Sequence, residues 1–304
     1  MSFDVTILGS GAAIPTSRRN PTAQYVVCND RHILIDCGEG TQMQIRRFGV
    51  RFQRISHILI SHLHGDHFFG LVGLLSTMHL MGRDKGITIY GPPELEQIVR
   101  LQLEVGGAKP EFELSFIVTS TKEPQVLFSD KMIEISSFPL KHRIPTTGFL
   151  IREQRKERNL DSEALKGSGL GIAHFPKLKN GEDVILESGE VRKAIDYTFD
   201  PKPSHSYAFC SDTAYLPSLA DVVKEVSVLY HEATFTEKDR DRAKATYHST
   251  ASQAAMIAKN GHVGRLLLGH LSARYSGVEN HLKEAQEIFS EVEVVEDGMN
   301  IQIS

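Results

Sequence analysis

The chain reads as an α/β fold, and three observations carry that reading. Short apolar runs of strand length alternate with longer amphipathic segments from end to end. The turns between them are rich in Gly, Pro, Asn and Asp. The densest group of potential metal ligands, Ser61-His62-Leu63-His64-Gly65-Asp66-His67, follows directly on one such apolar run, His57-Ile58-Leu59-Ile60. Chemistry at a strand end is what layered α/β architectures commonly provide.

Taken in order, the spacing predicts opening strands at 5–8, 24–28, 32–36 and 58–60, each an apolar run bounded by turn residues. Helical periodicity predicts helices over 41–48, 67–81 and 93–105, with strands at 87–90, 112–118 and 132–138 among and after them. A second series of strands falls at 148–151, 206–210, 226–230 and 265–268. Helices near 216–224, 249–260 and 278–288 punctuate it, and a last pair of strands covers 292–295 and 299–303. Residues 152–203 break the rhythm with mixed charges and glycines, although 184–186 and Val191 offer a hairpin. This stretch is expected to be an excursion from the core rather than a separate domain. No internal repeat is evident.

At 304 residues, with 40% hydrophobic and 24% charged, the composition is that of an ordinary soluble globular protein. No apolar run approaches the roughly 20 residues needed to span a bilayer. Residues 1–8 lack the basic start of a signal peptide and are expected to form the first strand. Cys28, Cys37 and Cys210 show no paired spacing, so they are expected to be core residues of a cytoplasmic protein. A net charge of −4 argues against a surface basic all over. Any polyanionic substrate must then be met by local positive charge.

Alternation at a strand end puts His62 and His64 on one side, Gly65 lets the backbone turn, and Asp66 and His67 open the following helix. Imidazole and carboxylate together suit zinc, manganese or iron. Four ligands are too few for two metals, and three further candidates stand at predicted strand ends. These are His142 after 132–138, Asp212 after 206–210 and His270 after 265–268. Two other signals are weaker. Gly9-Ser10-Gly11 follows a strand but has Ile14 where a dinucleotide-binding turn needs its third glycine. Ser61, Ser211 and Ser272 do not lie in a Gly-x-Ser-x-Gly elbow.

The ordered set His-x-His-x-Asp-His, His142, Asp212 and His270 resembles the metallo-β-lactamase superfamily. Further segments resemble, more narrowly, the ribonuclease Z family, the endonucleases that trim the 3′ trailer from precursor tRNA. They include Ile35-Asp36-Cys37-Gly38-Glu39-Gly40-Thr41-Gln42, His231-Glu232-Ala233-Thr234-Phe235, His248-Ser249-Thr250 and Gly269-His270-Leu271-Ser272-Ala273-Arg274-Tyr275. They run in order over essentially the whole chain. The resemblance implies an αββα four-layer sandwich, a single metallo-β-lactamase-like domain over 1–304 with a protruding tRNA-binding arm inserted at about 152–203. It implies two zinc ions per subunit: His62, His64 and His142 hold one, Asp66, His67 and His270 the other, and Asp212 bridges them. It also implies precursor tRNA as substrate, a homodimer, and no membrane partner. In the arm, Lys177-Leu178-Lys179-Asn180-Gly181 keeps the family's Leu-Lys-x-Gly turn, but residues 171–176 stand where bacterial arms carry a Gly-Pro-rich motif.

Two divalent ions bring the pKa of a shared water toward neutrality and stabilise negative charge building on phosphorus. Asp66 is the expected partner of that water. The leaving ribose 3′ oxygen is a poor leaving group, so a proton donor helps. His248 is the candidate, with Glu232 orienting its ring. The products expected are a tRNA 3′-hydroxyl and a 5′-phosphate trailer. Arg274 is the expected phosphate ligand, with Arg18, Arg19, Lys141 and Arg143 rimming the cleft. The alternative is a small-molecule phosphodiesterase or arylsulfatase-like hydrolase with the same ligands. The arm and Arg274 favour the tRNA reading.

Overall fold

In the computed structural model, which describes residues 2–303, the apolar runs assemble into two seven-stranded sheets. The first has the order Asn300–Gln302, Phe3–Gly9, Ala23–Cys28, Arg31–Ile35, Ile55–Leu59, Ile87–Gly91 and Leu114–Val118. The second has the order Val292–Val294, Arg265–Gly269, Val228–Glu232, Ser206–Cys210, Thr147–Glu153, Ile133–Pro139 and Gln125–Ser129.

Strand alternation accounts for the layering. Val5, Ile7, Ile33, Ile35 and Leu59 join Ile133, Phe149, Tyr207, Phe209, Tyr230 and Leu267 in one core between the sheets. Their neighbours Leu8, Leu34 and Ile58 turn the other way and pack on Ile45, Leu71, Leu75, Met78 and Val99 of the helices Thr41–Arg47, Leu71–Leu80 and Glu94–Val105. Behind the second sheet, Ala208, Leu229, Leu266 and Leu268 meet Ala251, Ala254, Ala255 and Ala258 of the helix Ala251–Asn260. The result is helix, sheet, sheet, helix. Each fully buried large aliphatic or aromatic side chain contributes about 1.5–3 kcal/mol.

Parallel pairing then brings loops to a common edge. Ile55–Leu59 runs parallel to both of its neighbours. Ser206–Cys210, Val228–Glu232 and Arg265–Gly269 are mutually parallel, with Cys210 beside His231 and Glu232 beside Gly269. The Thr147 amide of the second sheet donates to the Ser61 carbonyl beyond the end of Ile55–Leu59 at 3.0 Å, so these two loops are joined directly.

Three expectations are corrected in detail. The helix expected over 67–81 is two helices, Gly65–Phe68 and Leu71–Leu80. The reason is that the Gly70 amide donates to the Cys37 carbonyl at 2.9 Å instead of back along the helix. The two last strands do not pair: Val292–Val294 lies parallel to Arg265–Gly269, whereas Asn300–Gln302 lies antiparallel to Phe3–Gly9 in the other sheet. Gln125–Ser129 and the helix Arg240–Thr246 were not anticipated, the first because its apolar run is only three residues long and the second because it is rich in polar residues.

Residues Glu153–Ser204 form a second compact unit. Its small core is Leu170, Leu178, Val184 and Ala194, and its hairpin pairs Ile185 with Val191. The three cysteines are buried, and no disulfide joins them. Among the described residues, no helix is long and apolar enough to cross a membrane.

The contact beneath the Asp66 turn is unusually close. A Cβ on Gly70 would stand 2.2 Å from the Gly38 carbonyl oxygen, whereas one on Gly73 would meet nothing nearer than 3.6 Å. Gly70→Ala is expected to lower stability by about 1–3 kcal/mol. Gly73→Ala, inside a helix, is expected to be neutral or stabilising. Urea denaturation midpoints of the two variants check this.

Candidate active site

The strand ends deliver their polar residues into one volume. His62 and His64 lie in the loop after Ile55–Leu59, and His64 caps the short helix that carries Asp66 and His67. His142 comes from the loop between Ile133–Pro139 and Thr147–Glu153. Asp212 follows Ser206–Cys210, and His270 follows Arg265–Gly269 in a left-handed backbone conformation, φ 55°. The seven residues fall into two groups that share a neighbour. One ligand atom each from His62, His64, His142 and Asp212 lie within 4.8 Å of one another, as do those of Asp66, His67 and His270.

Asp212 is 2% exposed and stands between the groups. Its Oδ1 is 3.4 Å from His67 Nε2 and 3.1 Å from His270 Nε2. Its Oδ2 is 3.7 Å from His62 Nε2 and 3.8 Å from His142 Nε2. Asp66 Oδ2 is 3.5 Å from both His67 Nε2 and His270 Nε2, and accepts a hydrogen bond from the Ala13 amide at 2.7 Å.

These donors fit a metal ion. Nitrogens about 2.0 Å from a tetrahedral ion stand roughly 3.3 Å apart. His62 Nε2 is 3.0 Å from His64 Nδ1, which is 3.3 Å from His142 Nε2. In the other group, His67 Nε2 and His270 Nε2, with the Asp212 Oδ1 that faces them, are buried without a hydrogen-bond partner, an arrangement that burial makes costly. The opposite ring nitrogens are occupied. Ser61 Oγ lies 3.0 Å from His62 Nδ1, Asp36 Oδ2 2.7 Å from His67 Nδ1, the Tyr247 carbonyl 2.9 Å from His142 Nδ1 and Thr234 Oγ1 2.9 Å from His270 Nδ1. Each partner can hold a proton on Nδ1 and leave the Nε2 lone pair facing inward, as ligation requires.

Electrostatics point the same way. Burial holds His62, His64 and His142 below the ordinary imidazole range, which favours the neutral, ligating form. Burial opposes charge on Asp66, Asp212 and Glu232, yet surrounding imidazoles outweigh it and hold all three carboxyls below their usual range. Burial also opposes a proton on His67, but Asp212, Asp36 and Asp66 together raise it. In the chain alone that proton answers the carboxylates; a cation between them answers the same demand.

Beside the donors lies a second polar pair. Glu232 is fully buried and accepts from the Thr213, Thr234 and Ser249 amides at 3.1, 2.9 and 2.9 Å. Its Oε1 lies 3.0 Å from His248 Nδ1. Burial lowers the His248 pKa, but Glu232 and then Asp212 raise it to about 9. Thr234 donates its hydroxyl to Glu232 at 2.8 Å and lies 3.2 Å from His248 Nδ1 and 2.9 Å from His270 Nδ1. One hydroxyl thus touches both the His248–Glu232 pair and His270 of the donor cluster.

A cleft of about 710 Å³ opens over these groups, lined by Asp66, His248, Arg143, Arg242, Arg274 and Phe69 among others. The Arg274 guanidinium lies 5.0 Å over the Phe235 ring and 3.2 Å from Ser272 Oγ. The expected basic residues separate here. Arg18 lines an adjoining cleft of about 630 Å³. Lys141 is exposed, with its backbone bonded to Thr213 and Ala214. Arg19 turns inward to Ser10 and the Val295 carbonyl at 2.7 and 2.6 Å, so its guanidinium is committed to the scaffold. Sequence reasoning did not single out Arg242, Thr234 or Asp36 as site residues. Asp36 and Thr234 each lie in a segment that carries the family resemblance, whereas Arg242 carried no signal.

Two facing sheets between helices, with a His/Asp cluster at their shared edge, define a metal-binding protein of the metallo-β-lactamase fold. A metallo-β-lactamase fold protein from Bacillus subtilis matches it with a TM-score of 0.70 at 20% identity, over 99% of this chain and 100% of the other. The ribonuclease Z of Parabacteroides distasonis is 42% identical over 301 residues, 99% of each chain. The short form of human tRNase Z superposes with a TM-score of 0.73 at 29% identity, covering 99% of each. A family model described as Anti-Pycsar protein Apyc1 also matches, over residues 3–159. The chain belongs to the ribonuclease Z family.

The Asp36 carboxylate accepts from the Ser61 amide and hydroxyl at 2.7 and 2.9 Å as well as meeting His67. Asp36→Asn keeps the shape but removes the charge that orients His67. Metal affinity is expected to fall about 10–100-fold, read by competition with a chromogenic chelator.

Proposed function

We propose that this chain is a zinc-dependent endoribonuclease that removes the 3′ trailer from precursor tRNA, leaving a tRNA 3′-hydroxyl and a trailer with a 5′-phosphate. The observation that carries the reading is the convergent seven-residue donor set with the His248–Glu232 pair in the same cleft. Family membership over nearly the whole chain supplies the substrate class.

His62, His64 and His142 would hold one zinc and Asp66, His67 and His270 the other, with Asp212 between them. Bound there, the ions would supply a nucleophile at neutral pH and Lewis acidity toward the phosphoryl oxygens. Asp66, fixed by the Ala13 amide, is placed to orient the attacking water and accept its proton. His248, charged through Glu232, uses Nδ1 on that carboxylate and keeps Nε2 for the departing ribose 3′ oxygen. Arg274, braced on Phe235, offers its charge to the phosphate, and Arg143 and Arg242 line the same cleft. Arg18 and Lys141 would serve RNA beyond the cleft.

The unit Glu153–Ser204 is assigned to tRNA binding as an inserted arm. A homodimer is part of the proposal, in a cytoplasmic setting. Its support is the outer helical layer of the first sheet, where Met43, Leu80, Leu101 and Val105 stay exposed on helices that pack side by side.

Asp66→Ala is expected to abolish precursor cleavage. His248→Ala is expected to slow it by on the order of 10²–10⁴, and to slow a nitrophenyl phosphodiester, whose leaving group needs no proton, far less. Equal losses on both substrates would mark His248 as structural. Failure of the zinc-loaded protein on precursor tRNA, with turnover of a low-mass diester, would favour the small-molecule phosphodiesterase alternative. Light scattering is expected to give twice the chain mass of 33.9 kDa, with Leu80→Glu shifting the protein to the monomer. A monomeric parent protein would remove the dimer from the proposal.

A further inference from the structure

Two large apolar side chains are exposed where a polyanion would enter. Phe69 is 67% exposed and Ile14 66%, and both line the cleft over the donor cluster. Single exposed apolar residues are ordinary on a protein surface. These two flank Asp66. Ile14 follows Ala13, whose amide holds Asp66 Oδ2 at 2.7 Å. Phe69 lies one helical turn after Gly65, and its amide donates to the Gly65 carbonyl at 3.0 Å.

The Phe69 ring is held rather than loose. It rests on Gly65, where an added Cβ would stand 2.3 Å from Cε2 and 2.6 Å from Cδ2. Its neighbour Phe68 is buried in the core of the first sheet, and the two rings meet edge to face at 5.0 Å. The ring therefore leans on backbone that also carries Asp66 and His67, while most of its surface stays open. Packing accounts for Phe68; it does not account for Phe69.

An unpaired nucleotide beside a scissile phosphate has a π-face to cover. Single-stranded RNA is commonly recognised by stacking its unstacked bases on aromatic side chains. We propose that Phe69, with Ile14, forms a nucleobase subsite next to Asp66, on which a base flanking the scissile phosphate stacks. The proposal rests on the RNA-cleaving reading above and deepens it. Stacking is tolerant of base identity, so this subsite positions the strand without reading its sequence.

The test uses the zinc-loaded full chain and three substrates: a precursor tRNA, the same RNA abasic just 5′ of the cut, and the same RNA abasic just 3′ of it. Wild type is expected to lose about tenfold in kcat/KM on one abasic RNA, mostly through KM, the size of one base–aromatic stack. Phe69→Leu is expected to lose about the same factor on the intact RNA and nothing more on that abasic one. Phe69→Tyr is expected to restore the intact-RNA rate to within about threefold. The abasic comparison on wild type stands without any variant, so a misfolded Phe69→Leu cannot rescue or sink the idea. No wild-type penalty at either abasic position overturns the subsite. So does a Phe69→Leu loss that is equal on all three RNAs. A wild type that fails on the intact precursor overturns the RNA reading itself, a distinct result.

Discussion

A carboxylate taken out of water costs several kcal/mol unless positive charge and hydrogen bonds replace the solvent it loses. Asp212, 2% exposed, sits at the junction where the two sheets' loops meet. Its compensation arrives from separate loops: His67 and His270 face one oxygen, His62 and His142 the other. No single element can satisfy it. The loop ends of both sheets must be in place together, and the Thr147–Ser61 backbone bond helps hold them there. The two-sheet fold and the chemistry at its edge are one requirement seen from two sides.

The same logic explains the outer ring of polar residues. An imidazole aimed at a cation must be kept from rotating, and here a partner sits at the far nitrogen of His62, His67, His142 and His270. Ser61 and Thr234 each do this twice over, because a hydroxyl both donates and accepts. Ser61 donates to Asp36 while facing His62, and Thr234 donates to Glu232 while facing His270 and His248. Through Thr234, the orientations of His248 and of one cluster imidazole depend on a shared atom. The His248–Glu232 pair is thus built into the wall of the donor cluster rather than added beside it.

How much of this is readable from sequence follows from distance along the chain. His62, His64, Asp66 and His67 are neighbours, so strand and helix geometry alone group them. His142, Asp212 and His270 lie far apart but each follows an apolar run, and for Asp212 and His270 parallel strands ending at one edge make that position informative. Asp36 shares that signature, yet nothing local says that it supports His67. Arg18 and Arg19 are adjacent and chemically alike and border the same cleft, yet only the fold ties the Arg19 guanidinium to Ser10 and Val295. The break at Gly70 is invisible to helical periodicity, since it comes from Cys37, 33 residues earlier. Residues whose role depends on a contact across the fold are those that pattern cannot supply.

Charge placement bears on selectivity. The net charge of −4 leaves the surface unattractive to RNA at large. Arg143, Arg242 and Arg274 concentrate positive charge in one cleft, above a cluster that itself calls for cations. A phosphodiester is thus favoured where the reaction can occur, and counterion-driven binding over the surface at large is kept weak. Local charge cannot tell one phosphate of a strand from the next, because the backbone repeats. Choosing the bond that breaks needs a feature that is not repeated, such as the end of a folded helix or an unpaired base. A pinned aromatic ring at the mouth of the cleft, beside the carboxylate assigned to the attacking water, answers to the second of these.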